Sequence, residues 1–104
     1  MEIIRETATG DWLELRVKGR LDSYWADHFK TVLGDVLRDG ACKVRLNLSG
    51  VTYLSSAGIA VLVWAHKQLA SIRGKLVIAQ PSELVKKVLE VTGLTTLLAT
   101  EEAA

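Results

Sequence analysis

The sequence predicts an α/β domain built on one mixed sheet with its helices packed on a single face. Three observations predict it. Two segments alternate strictly between apolar and charged residues, three longer segments carry apolar residues at helical spacing, and the two kinds take turns along the chain. Alternation marks strands with one buried and one wet face. Strands interleaved with helices indicate an α/β order. A strand that still shows a polar face has no helix over that face, so the helices share the other one.

Residues 12–18 supply the clearest alternation: Leu13, Leu15 and Val17 face one way, and Glu14, Arg16 and Lys18 the other. Residues 43–48 repeat it, with Val44, Leu46 and Leu48 set against Lys43, Arg45 and Asn47. Glu14, Arg16, Lys18, Lys43 and Arg45 are therefore expected in solvent. Residues 2–7 form a weaker strand, joined to 12–18 by a turn at Thr9-Gly10-Asp11. Lys75–Ala79 makes a fourth strand between Gly74 and Pro81, and 97–100 is a candidate fifth. The sheet thus has four to five strands.

The first helix covers about 25–38, with Phe29, Val32, Leu33, Val36 and Leu37 inward, Asp22 or Ser23 as its cap and Gly40 at its end. The second begins at Ser55 or Ser56 and ends near Gly74. The third follows Pro81-Ser82 and ends at Gly93, with Leu84, Val88 and Val91 as its expected inner stripe.

With 104 residues the chain fits one domain, residues 1–104. Thirteen basic and 12 acidic side chains leave a net charge of +1, which gives no electrostatic reason to expect nucleic acid or an anionic membrane as partner. The longest stretch without Asp, Glu, Lys or Arg runs from Leu46 to His66, but its wholly apolar or glycine part is only Ala57–Ala65. A membrane span needs ~20 mostly apolar residues, so no span is expected. Glu2, Arg5 and Glu6 interrupt any leader-like apolar run. Cys42, the single cysteine, cannot close an internal disulfide, and a cytoplasmic location is expected. We read Cys42 as a small, partly buried residue.

His28 and His66 lie on helices without Cys or carboxylates at ligand spacing, so no metal is expected. No nucleophile, base and orienter can be assembled, and no glycine-rich phosphate loop is present. No catalytic residue and no cofactor are therefore assigned. A small α/β enzyme is the disfavoured alternative. Trp12 is expected on the wet sheet face or at its edge, and Trp25 beside Asp22 and Tyr24.

The informative stretch runs from the end of a buried strand into the second helix. A serine in the first turn of a helix lies near unpaired N–H groups and the positive end of the helix dipole, where a phosphate is tolerated. Serine is also favoured there for capping alone. Ser55 is read as the cap. On the same helix Gly58, Leu62, Ala65 and Leu69 point one way, while Ser56, Ala60, Val63, Trp64 and Lys67 fall on the opposite side. An exposed Trp on that stripe suits a partner surface, and packing on a neighbouring element is the alternative.

The run Asn47-Leu48-Ser49-Gly50-Val51-Thr52-Tyr53-Leu54-Ser55-Ser56-Ala57-Gly58 resembles the signature of STAS domains of the anti-sigma factor antagonist type. Gly19-Arg20-Leu21-Asp22 is similar to a second family element that closes a strand. The separation of the two and the positions of Gly74 and of 81–94 also match, so the resemblance covers essentially the whole chain. It implies a STAS fold and a switch protein whose unphosphorylated form binds an anti-sigma factor that is also a serine kinase, freeing the sigma factor. Phosphorylation of the serine matching Ser56 then ends binding, and a metal-dependent serine phosphatase restores it. Asp22 matches an acidic residue on the loop near that serine, and Ser55 stands where many members carry Asp. The expected partner surface comprises Asp22, Ser23, Ser55, Ser56, Ala60, Val63, Trp64 and Lys67, on a monomer or weak dimer. The alternative within the fold is a cytoplasmic STAS subunit of an ABC-type lipid transport system.

Overall fold

The computed structural model describes residues 1–7 and 12–101. The expected turn at Thr9-Gly10-Asp11 lies outside the described residues. Five strands, β1 (Glu2–Thr7), β2 (Trp12–Leu21), β3 (Lys43–Leu54), β4 (Lys75–Ala79) and β5 (Ala99–Glu101), form one sheet in chain order. β1 runs antiparallel to β2, and each later pair is parallel. Helix α1 (Ser23–Arg38) joins β2 to β3, α2 (Ser56–Ser71) joins β3 to β4, and α3 (Glu83–Val91) with a short 3-10 turn (Leu94–Thr96) joins β4 to β5.

Parallel strands laid down in one direction, each reached by a right-handed crossover, put every connecting helix on the same face. One core results. Leu15, Val17 and Leu21 of β2, Val44, Leu46, Leu48, Val51 and Leu54 of β3, and Leu76 and Ile78 of β4 meet Phe29, Leu33 and Val36 of α1, Val61, Leu62, Ala65 and Leu69 of α2, and Val85 and Leu89 of α3. Buried Leu98 anchors the segment leading into β5.

Four expectations change. β2 and β3 run on past the alternating parts, to Leu21 and Leu54, because register shifts at Arg16/Lys18 and Gly19/Arg20 carry the ladder through residues that no longer alternate. Of the five residues expected in solvent only Lys18 is exposed, while Glu14, Arg16, Lys43 and Arg45 are half-buried. Their long side chains lie along the sheet and cover one another. The Arg45 guanidinium sits 5.6 Å from the centre of the half-buried Trp12 ring, and Arg16 Nη2 lies 3.7 Å from Glu6 Oε2.

In α3 the buried pair is Val85 and Leu89, with Val88 half-buried, whereas Leu84 and Val91 are exposed. The apolar band of this helix is wider than the face the sheet can cover, and the helix is turned by about one residue from the expected stripe. Cys42 is exposed, since only its main chain is engaged: its carbonyl accepts from Lys75 N at 2.8 Å.

Among the described residues no helix is long and apolar enough to cross a membrane.

Candidate functional site

Parallel pairing of β2 with β3 brings their C-terminal ends, and the helices that follow, side by side. Leu21 pairs with Leu54, and one residue later Ser55 N donates to Leu21 O at 2.9 Å. The two helix N-termini start from that stitch. Asp22 caps α1, its Oδ1 accepting from Trp25 N at 3.1 Å. Ser55 caps α2, its Oγ accepting from Gly58 N at 3.1 Å. Side-chain oxygens are favoured at such positions because they satisfy N–H groups that have no partner within the helix.

The approach of α2 to the strand ends is close enough to dictate a residue. A Cβ on Gly58 would lie 2.9 Å from Leu21 Cγ and 3.0 Å from both Leu21 O and Leu54 Cδ1, all in the buried core. Only glycine lets the first turn of α2 sit there.

Ser56 follows the cap, and it is exposed. Capping by Ser55 leaves the Ser56 hydroxyl available to solvent in the first turn of α2. Nearby, Arg20 lies with its guanidinium 4.3 Å from the Tyr53 ring centre and its Nε 3.9 Å from Asp22 Oδ2. Tyr24, at the start of α1, is 79% exposed and packs edge-on against Trp25, whose ring also meets His28.

A groove of about 240 Å³ opens between α1 and α2, lined by Ser23, Ala26, Asp27 and Lys30 on one side and Ala57, Ala60, Val61 and Trp64 on the other. Trp64 was expected to stand out in solvent, and here the structure corrects the reading. It is half-buried, packed against the core and α1, with Lys30 Nζ 4.9 Å above its ring. Residues 56, 60 and 64 drift round the helix at 3.6 residues per turn, so Trp64 turns toward α1 while Ser56 still faces out.

Of the residues expected to act together, Asp22, Ser23, Ser55 and Ser56 gather at the paired helix starts, and Ser23, Ala60 and Trp64 line the groove. Lys67 is exposed further along α2, and Val63 is half-buried away from the groove lining. Asp27, Lys30 and Ala57 were not foreseen as site residues. Their signal was the concentration of small side chains, Ala26, Ala57 and Ala60, on helix faces that must meet.

A family model for the STAS domain matches residues 3–104. The anti-sigma-B factor antagonist of Staphylococcus aureus is 32% identical over 103 residues, covering 98% of this chain and 95% of that protein.

The chain belongs to the STAS domain family, in its anti-sigma factor antagonist group.

Solved structures share the fold of this STAS domain. A Thermotoga maritima protein superposes with a TM-score of 0.88 at 26% identity, covering 98% of this chain and 86% of its own. The Bacillus cell fate determinant SpoIIAA in its phosphorylated form superposes with a TM-score of 0.78 at 19% identity, covering 99% and 92%.

Proposed function

We propose that this STAS domain is an anti-sigma factor antagonist switched by phosphorylation of Ser56. Unphosphorylated, it binds an anti-sigma factor that is also a serine kinase, and the sigma factor is freed. Phosphorylated, it lets go, and a metal-dependent serine phosphatase resets it. The chain itself carries out no catalytic step and works in the cytoplasm as a monomer or weak dimer. The observation that carries this reading is the division of labour between two adjacent serines. Ser55 is committed to Gly58 N, whereas Ser56 is exposed at the start of the same helix. Support also comes from the Staphylococcus relatives, named as antagonists of anti-sigma-B factor, and from SpoIIAA, solved both with and without phosphate.

Phosphate adds about 1.5 to 2 negative charges and three acceptor oxygens to a small hydroxyl. The N-terminus of α2 tolerates that charge, so the fold stays as it is. A partner surface closing over Ser56 does not tolerate it, because an unpaired, desolvated phosphate costs several kcal/mol. The test has two arms. Phosphopeptide mapping after incubation with the cognate kinase and ATP is expected to place phosphate on Ser56 and not on Ser55. Ser56→Ala is expected to bind the kinase and not be released by ATP. Ser56→Asp is expected to bind at least tenfold more weakly with a Tm close to that of the parent chain. Phosphate elsewhere, or tight binding by Ser56→Asp, refutes the reading.

A further inference from the structure

The groove between α1 and α2 lies beside Ser56 and has two features that a gap between packed helices does not require. Its floor is made of short side chains, Ala26, Ala57 and Ala60. Its volume of about 240 Å³ is room for one large side chain, since a cavity of ~150 Å³ already holds a benzene molecule. On its rim a cation is held in place over an aromatic ring: Lys30 Nζ sits 4.9 Å from the centre of Trp64. Among the described residues Lys30 makes no ion pair.

We propose that this groove receives an apolar side chain of the anti-sigma factor kinase, and that Lys30 pairs with a carboxylate beside it on that partner. The inference rests on the reading that such a kinase binds and modifies Ser56. A kinase that reaches Ser56 covers the neighbouring surface. Ala60 is one turn from Ser56, about 5–6 Å between Cβ atoms, and Trp64 two turns, about 12 Å along the axis. Both fall inside a footprint of ~800 Å² per partner, the usual size for a specific complex.

Charge then selects the chemistry. Lys30 is already restrained by Trp64, so pairing it costs less side-chain entropy than pairing a free lysine. A carboxylate arriving there is desolvated together with the ring, which is where charge pairs and aromatic anchors carry most of the binding energy. Asp27 stands one turn earlier on the same rim. A carboxylate near it is repelled, which places the partner's acidic group at the Trp64 end and fixes the direction in which the segment lies.

The experiment is a calorimetric titration of the full chain with the purified cognate kinase, at low and at raised salt. Lys30→Glu is expected to lower affinity at least tenfold, and Lys30→Gln at least threefold with a weaker salt dependence. Lys30→Arg is expected to stay within threefold. Ala60→Leu, at an exposed position that leaves the core untouched, fills the groove and is expected to cost at least tenfold. Lys87→Glu on α3 controls for net charge and is expected to bind normally. If the Lys30 and Ala60 variants all bind within twofold of the parent while Ser56→Asp does not, the docking surface lies elsewhere. The groove inference then fails alone. If Lys30→Glu changes self-association and leaves the kinase titration unmoved, the groove is a contact between copies and the inference is wrong. If the parent chain fails to bind the kinase at all, both this inference and the proposed function fall.

Discussion

Helix α2 is anchored at its two ends by different means. At the N-terminal end a side chain does the work, with Ser55 Oγ taking Gly58 N. At the C-terminal end the main chain closes on itself: Arg73 N donates to Ala70 O at 3.1 Å and Gly74 N to Leu69 O at 2.7 Å. Each end also has a glycine fitted against a neighbouring strand. Gly58 meets Leu21 and Leu54 where β2 and β3 finish, and Gly74 meets the Cys42 backbone where β3 begins. One end leaves a hydroxyl, an exposed tyrosine and the α1–α2 groove in solvent beside these anchors, and the other leaves an exposed Ile72 and a pocket of about 210 Å³ bordered by His66, Ala70, Gly74 and Leu97. The lesson is that a tight first turn need not consume the surface around it. That surface is available for a partner because the fold is held from beneath.

The strongest way to break this comparison is at Gly74. A Cβ there would collide with the Cys42 carbonyl oxygen, a backbone atom that cannot rotate away. That same oxygen accepts from Lys75 N. Gly74→Ala must therefore push β3 and β4 apart at their starts, combining overpacking with loss of a main-chain bond, at about 3 kcal/mol. At roughly 4–8 °C per kcal/mol for a domain of this size, a thermal melt is expected to fall by ~12–24 °C. A fall of less than ~4 °C would show that the contact relaxes freely and that the two ends are less different than they look.

At the other end Ser55→Ala removes the α2 cap and leaves Gly58 N without its acceptor. The expected loss is about 1 kcal/mol by chemical denaturation, within the range for N-cap deletions. Because Ser56 is untouched, phosphorylation is expected to persist on Ser55→Ala. Ser56→Ala is expected to do the reverse, with stability unchanged and modification abolished. Equal stability losses in the two variants would erase the distinction between cap and switch.

Much of this was legible in the sequence, and the gaps have physical causes. Strict alternation revealed the first halves of β2 and β3, where one face is buried and the other is not. It could not reveal the second halves, because the register shifts near Gly19 break the period of two on which such readings depend. The Ser55 cap and the exposure of Ser56 were readable because capping is local chemistry. The groove was not, because it depends on how α1 is set against α2. Trp64 shows the same limit: a stripe drawn on one helix says which residues leave the core, not which of them a second helix then covers.

Gly74 was readable as the place where α2 ends, and the structure supplies the reason. The expected role of a glycine after a helix is to take a left-handed φ. In α2 that conformation belongs to Arg73, at φ 58°, and Gly74 supplies space against Cys42 instead. A side chain at a left-handed position crowds its own backbone by roughly 1–2 kcal/mol, while glycine costs about 0.5–1 kcal/mol more than other residues in chain entropy. The two oppose each other and the steric gain is the larger. Arg73→Gly is therefore expected to stabilise the domain by about 0.5 kcal/mol, a rise of some 2–4 °C in Tm. It lies at the opposite end of α2 from Ser56, fifteen or more residues along a helix that rises ~1.5 Å per residue, so kinase affinity is expected to stay within twofold. A stabilised variant with unchanged binding would confirm that the two ends act independently. A change in binding without a change in stability would mean that the partner reaches the C-terminal end of α2 as well, and that the contrast between the ends is false.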